Sequence, residues 1–124
     1  MIRRSLFIVA AMLLMTGCSI YNIDSQDISS EIYPSKQSAA EVVYLDEIEQ
    51  PHFFIAYVTV TTERNQRVSD VIEKMKREAA ILGGDAITNV RTDATGIWKK
   101  LPAQQIIGNG YVRANFTASV VRFQ

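Results

Sequence analysis

The sequence predicts a two-layer α+β domain in which one helix packs on a small mixed β-sheet, and three features of its pattern carry that prediction. The ten residues from Phe53 to Thr62 are almost wholly β-branched, aromatic or small and apolar, the composition of a half-buried strand. Val68, Val71, Ile72, Met75, Ala79 and Leu82 recur at helical spacing and stop at Gly83-Gly84, so one face of about four turns is apolar. From Tyr111 to Phe123 apolar and polar residues alternate, as in a strand with one dry face and one wet one. With Ala86 to Thr92 as a further strand, the order is βαββ.

The chain has 124 residues, 48% of them hydrophobic and 21% charged, with a formal net charge of zero. It is too apolar to be disordered throughout, and it lacks the basic excess that nucleic-acid binding needs. No nucleic-acid partner is expected.

At the start, Arg3 and Arg4 precede ten unbroken apolar residues, Leu6 to Met15. A spanning helix needs about 20; a short basic segment followed by a short apolar run is instead an export signal of the general secretory kind. Leu14-Met15-Thr16-Gly17-Cys18 resembles the lipobox of bacterial lipoproteins. That resemblance implies that residues 1–17 are removed by cleavage between Gly17 and Cys18, and that Cys18 receives a diacylglycerol and an acylated amino group. This covalent lipid is the only cofactor expected. Ser19 after the cysteine, by resemblance to enterobacterial lipoproteins, implies an outer-membrane location facing the periplasm, or the cell-membrane surface in a source with one membrane.

Between Ser19 and Pro51 seven acids face Lys36 alone, whereas ten bases face six acids from His52 onward. The acidic lead reads as a solvated tether over residues 18–41, long enough to hold the domain ~25 Å from the lipid. The domain is expected over 42–124, with Val42-Val43-Tyr44-Leu45 adding a short edge strand.

Within the domain, alternation places Phe54, Ala56, Val58 and Val60 on the core face of the first long strand, with Ile55, Tyr57, Thr59 and Thr61 opposite. Ser69 is expected to cap the helix, with Asp70 favourable in the first turn. Gly83-Gly84 supplies the left-handed stop. In the next strand Ala86, Thr88 and Val90 oppose Ile87, Asn89 and Arg91. Ile97 to Leu101 and Gln105 to Ile107 are expected to pair loosely across Pro102, and Gly108-Asn109-Gly110 marks a turn. In the last strand Val112, Ala114, Phe116, Ala118 and Val120 face inward, and Arg113, Asn115, Thr117 and Ser119 outward.

The segment Glu78-Ala79-Ala80-Ile81-Leu82-Gly83-Gly84-Asp85-Ala86-Ile87, continued by Val90-Arg91-Thr92-Asp93, resembles the corresponding stretch of YbjQ-like domains, named heavy-metal-binding, and of RcsF-like sensor lipoproteins. The resemblance covers about residues 53–123 and implies the same βαββ domain. Ala79 lets the helix approach the sheet, one glycine takes a positive φ, and Asp85 bonds local backbone groups. RcsF-like sensors hold their domain with disulfides, whereas this chain's single cysteine leaves none to form.

The only histidine is His52. Ordered metal sites need several His, Cys or carboxylate ligands, so Glu47, Glu49 and His52 read as a solvated turn and no metal is expected. No Gly-x-Ser-x-Gly elbow occurs, and Gly83-Gly84-Asp85 follows a helix, the wrong polarity for a phosphate cradle. No small-molecule substrate or catalytic residue is evident, and the protein is expected not to be an enzyme. Ile55, Tyr57, Arg113, Asn115 and Thr117, with Trp98 nearby, form a mixed aromatic and arginine face of the kind protein interfaces favour. The expected function is that of a lipid-anchored envelope lipoprotein contacting or sensing an unidentified envelope protein. Binding of a small ligand, metal ion or envelope polymer is the alternative.

Overall fold

A computed structural model describes residues 21–29, 31–103 and 111–124. The long strand β3 (His52–Thr62) pairs antiparallel with β8 (Asn115–Phe123), and β8 pairs antiparallel with β5 (Ala86–Thr92). Two more strands flank these three: β1 (Tyr21–Asp27) lies antiparallel beside β3, and β2 (Val43–Tyr44) parallel beside β5. β6 (Lys99–Lys100) lies antiparallel to the far half of β5, and β4 (Gln66–Arg67) with β7 (Tyr111–Val112) makes a separate two-stranded ribbon. The sheet is mixed, and helix α1 (Val68–Ile81) packs on one face of it. The expected two-layer α+β architecture is the one observed.

The core lies between α1 and the sheet. Val71, Met75 and Ala79 of the helix meet Val58, Val60, Phe116, Ala118 and Val120 of the central strands, all at most 1% exposed. The helix begins after Arg67, whose side chain makes no capping hydrogen bond; Ser69, expected as the cap, lies inside the first turn. At the other end Gly83 takes φ +84°, and the Gly83 and Gly84 N–H groups donate to the Ala80 and Ala79 carbonyls. This paired closure satisfies two of the carbonyls that a helix end leaves open.

Two β-bulges change the faces expected from strict alternation. The β3/β8 register slips between Phe54 and Ala56, so Ile55 turns inward beside Ala56 and is 3% exposed, while Phe54 turns outward and is 51% exposed. An extra residue in one strand shifts every side chain before it to the opposite face. The β5/β8 register slips likewise between Thr88 and Arg91, where Asn89 adopts φ 50°. Asparagine tolerates the left-handed region better than other non-glycine residues, and the bulge puts Ile87 and Val90 together in the core.

The lead expected as a tether is folded over much of its length. β1 keeps register with β3 from Tyr21 opposite Thr62 to Asp27 opposite Ala56. Tyr33 packs 5.7 Å from the Phe53 ring with the Arg122 guanidinium 4.6 Å over its own ring, and the Lys36 N–H donates to the Ala80 carbonyl at 2.7 Å. Two of the acids that suggested solvation, Asp24 and Asp27, sit at exposed positions of this edge strand, where charge discourages further pairing. The domain thus includes residues from Tyr21, rather than beginning at 42. Lys99–Lys100 pair with Arg91 and Thr92; the partner expected for them around 105–107, the Gly108–Gly110 turn, and Gly17 and Cys18 lie outside the described residues.

Candidate functional site

Among the described residues no helix packs over the outer face of the sheet. Asn22, Asp24 and Gln26 of β1 stand beside Thr61, Thr59 and Tyr57 of β3, which in turn oppose Asn115, Thr117 and Ser119 of β8. The result is a broad hydroxyl-rich surface, on which Tyr57 is 49% exposed. At one end the chain between β2 and β3 folds over it: the Thr88 hydroxyl donates to the Asp46 carbonyl at 3.4 Å, and the Asp46 carboxylate accepts the Ala103 N–H at 2.9 Å. That crossing buries Thr88 and Ser119 and leaves a groove of about 400 Å³.

Asp46, Glu47 and Ile48 form one wall of the groove, His52, Phe54 and Tyr57 the other, and Thr88, Asn89 and Ser119 its base. The His52 ring meets Phe54 edge-on, with centroids 5.7 Å apart and planes at 80°. His52 Nδ1 lies 2.9 Å from the Gln50 carbonyl; a carbonyl only accepts, so Nδ1 is the donor in this contact. The lining therefore combines two aromatic rings, an imidazole, two carboxylates and hydroxyl groups. Such a mixture suits recognition of a partner surface by aromatic anchors with polar groups at the rim. Among the described residues no three His, Cys, Asp or Glu side chains come together as metal ligands.

The residues expected on one interaction face are divided by the structure. Ile55 belongs to the core, Tyr57 to the groove, and Arg113 and Asn115 to a separate shallow depression at the other end of β8, with Thr117 between them. Asn115 is held in place: its N–H and side-chain amide donate to the two oxygens of Asp93 at 2.7 and 2.8 Å, and its Oδ1 accepts the Thr61 hydroxyl at 2.8 Å. The bonds from Asn115 hold the Asp93 carboxyl below the usual aspartate range. Phe54, Ile48 and Asn89 join the groove although alternation did not point to them. The run Phe53-Phe54-Ile55 was the available signal, because three consecutive large apolar residues cannot all alternate.

The segment Ala79 to Asp85 sits away from the groove and closes the helix onto the sheet. Asp85 Oδ1 pairs with Lys36 Nζ at 2.8 Å and Oδ2 accepts the Phe123 N–H at 2.8 Å. Partial burial opposes ionisation of Asp85, but the Lys36 ammonium, the Phe123 N–H and Arg122 outweigh it and hold the carboxyl below its ordinary value. Arg122 also donates to the Gly83 carbonyl at 3.1 Å.

No family model and no curated protein matches the chain. Among solved structures it is similar to the Francisella virulence factor FvfA, in its orthorhombic crystal form. The TM-score is 0.51 at 14% identity, over 81% of this chain and 97% of that one. At that identity the likeness is one of fold.

Proposed function

We propose that the protein is a lipid-anchored envelope lipoprotein, attached through Cys18 and facing the periplasm from the outer membrane, that acts without catalysis as a protein-interaction or sensing module. The observation that carries this reading is the groove on the outer sheet face, where Phe54 and Tyr57 stand about half exposed beside acidic Asp46 and Glu47. Large aromatic side chains held on a rigid strand are the anchors that dominate binding at protein interfaces. The short basic and apolar start and the lipobox resemblance at Leu14 to Cys18 support the location, and the likeness of Glu78 to Ile87 to YbjQ- and RcsF-like domains supports a sensing role.

In cells, a photo-reactive residue at Tyr57 or Thr59 is expected to capture one reproducible envelope partner, and Phe54→Asp is expected to abolish the adduct without lowering protein level or melting temperature. Adducts that persist unchanged in Phe54→Asp would defeat the groove as the interface. Lipidation has its own test: Cys18→Ser is expected to abolish labelling by a fatty-acid analogue and to leave uncleaved precursor. A normally processed, membrane-retained Cys18→Ser protein would refute the anchor.

The groove volume also favours a second reading, since about 400 Å³ falls within the range of small-ligand sites. Aromatic rings beside hydroxyls suit a sugar of an envelope polymer. A thermal-shift screen over wall fragments and metal ions checks this, because a ligand of the folded state raises the melting temperature.

A further inference from the structure

We infer that the end of the domain carrying Arg64, Arg67, Arg113, Tyr111 and Trp98 rests on the bilayer as a second, non-covalent membrane contact that reads anionic phospholipid headgroups. The inference rests on the lipid anchor proposed at Cys18 and adds to it a surface and an orientation. Only Ser19 and Ile20 separate Cys18 from β1. Even fully extended, three residue steps span only ~10 Å. Tyr21 is held in turn by antiparallel pairing with Thr62, by the bond from its hydroxyl to Gln66 at 3.0 Å, and by Lys74 lying 5.4 Å over its ring. An acylated Cys18 therefore brings this end of the sheet to the lipid and leaves the other end away from it.

The topology gathers several turns at the same end. The Thr62 N–H donates to the Ala114 carbonyl and the Asp93 N–H to the Asn115 carbonyl. The turn after β3, the β4/β7 ribbon and the β5–β6 hairpin tip consequently lie beside the start of β1. Aromatic and basic side chains stand exposed among them. Trp98 is 48% and Tyr111 63% exposed, and Ile97 is exposed next to Trp98. Arg67 lies 5.6 Å over the Tyr111 ring and its Nε–H donates to the tyrosine hydroxyl at 3.2 Å. Arg64, Arg113, Lys99 and Lys100 are all exposed. The acids at this end are Glu63, Asp70 and Asp93, the last tied to Asn115. At the opposite end, Asp27, Glu31, Glu47 and Glu49 are exposed and would be repelled by an anionic surface.

Trp and Tyr rings settle at the headgroup level of a bilayer, and each Lys or Arg near an anionic surface is worth about fivefold in binding. The groove at Phe54 would then stand well clear of the membrane. Thr62 and Phe54 are eight residues apart along β3, which corresponds to roughly 25 Å of strand.

Trp98 is the only tryptophan, so its fluorescence reports this end alone. The experiment uses the full lipidated protein in vesicles of phosphatidylcholine, with or without phosphatidylglycerol, containing lipid with a nitroxide headgroup. The protein is expected to float with both vesicles, with Trp98 quenched by the headgroup nitroxide, more strongly when phosphatidylglycerol is present. Arg64→Gln with Arg113→Gln should weaken the contact about fivefold per cation removed while flotation persists. A tryptophan moved to the far end, as Phe54→Trp in a Trp98→Phe background, should stay unquenched. Flotation with Trp98 unquenched in both vesicles would overturn the contact while leaving the anchor intact, and quenching that ignores both phosphatidylglycerol and the arginine changes would overturn the anionic headgroup. A protein that does not float at all would overturn the anchor, and this contact with it.

Discussion

The two faces of the sheet are made by the same strands and obey different rules. On the inner face Val58, Val60, Phe116 and Val120 are fully buried against α1; on the outer face the alternating neighbours Tyr57 and Thr59 are exposed and Thr61 and Thr117 half-buried. Burial of apolar surface stabilises by roughly 25 cal/mol per Å², so the fold is specified almost wholly from one side. The other side, apart from the crossing at Thr88 and Ser119, is less constrained by packing and can carry recognition. The bulges at Ile55 and Asn89 are where the two rules meet, because each transfers residues between faces within one strand.

The largest effect that separates the faces is expected at Phe116, the largest fully buried side chain among the described residues. Phe116→Ala should cost about 3–5 kcal/mol, measured by denaturant unfolding, whereas Thr59→Ala on the adjacent strand should stay within about 0.5 kcal/mol. Similar costs at the two sites would mean that the outer face is also packed.

A smaller loss is expected at Gly84. A Cβ built there would collide with Val120 Cγ1 and come within 3.2 Å of the Ala79 carbonyl, so the helix end would have to lift off the inner face. Gly84→Ala should cost about 1–3 kcal/mol, and a double variant with Val120→Ala should recover part of that loss if the collision with Val120 is the cause. Failure to recover any would place the strain elsewhere.

The inner face was legible because helix and strands each bury one continuous stripe: the Val68 to Leu82 periodicity, the Gly83-Gly84 stop and the Phe116–Val120 alternation all read directly. β1 was hidden for the opposite reason. Tyr21, Ile23 and Ser25 alternate, but the surrounding acids dominate the composition of the lead, and an edge strand needs only a partner, here β3, to form. The groove was half legible. Tyr57 follows from alternation, but Phe54 requires knowing that β3 bulges, and Asp46 to Ile48 reach the sheet only through tertiary bonds to Thr88 and Ala103. Separation in sequence, rather than weak patterning, obscured that wall.

Where the lead closes the inner layer, the Lys36–Asp85 pair predicts a pH dependence. Asp85 is held below its ordinary value of 3.8, so its contribution is present in full above that pH and is lost as the pH falls through the lower folded value. The pair is partly exposed, and Asp85→Asn should cost under about 1 kcal/mol at neutral pH. The gap in melting temperature between wild type and Asp85→Asn should narrow as the pH is lowered below 3.8. A gap that stayed constant would show that ionisation of Asp85 contributes nothing to stability.

The smallest stability change is expected at Tyr57, and there the two faces differ most in function. Its ring is half exposed on the wall of the groove, opposite Ser119, so Tyr57→Ala should alter unfolding free energy by no more than about 0.5 kcal/mol. If the groove is a docking site, loss of an aromatic anchor should nevertheless weaken partner capture by a factor on the order of ten or more, because central aromatic residues carry about 2 kcal/mol of binding when truncated. Unfolding and capture measured on the same Tyr57→Ala protein separate the two roles. A stability loss comparable to that of Gly84→Ala would assign Tyr57 to packing, and unchanged stability with unchanged capture would remove the groove from the interface.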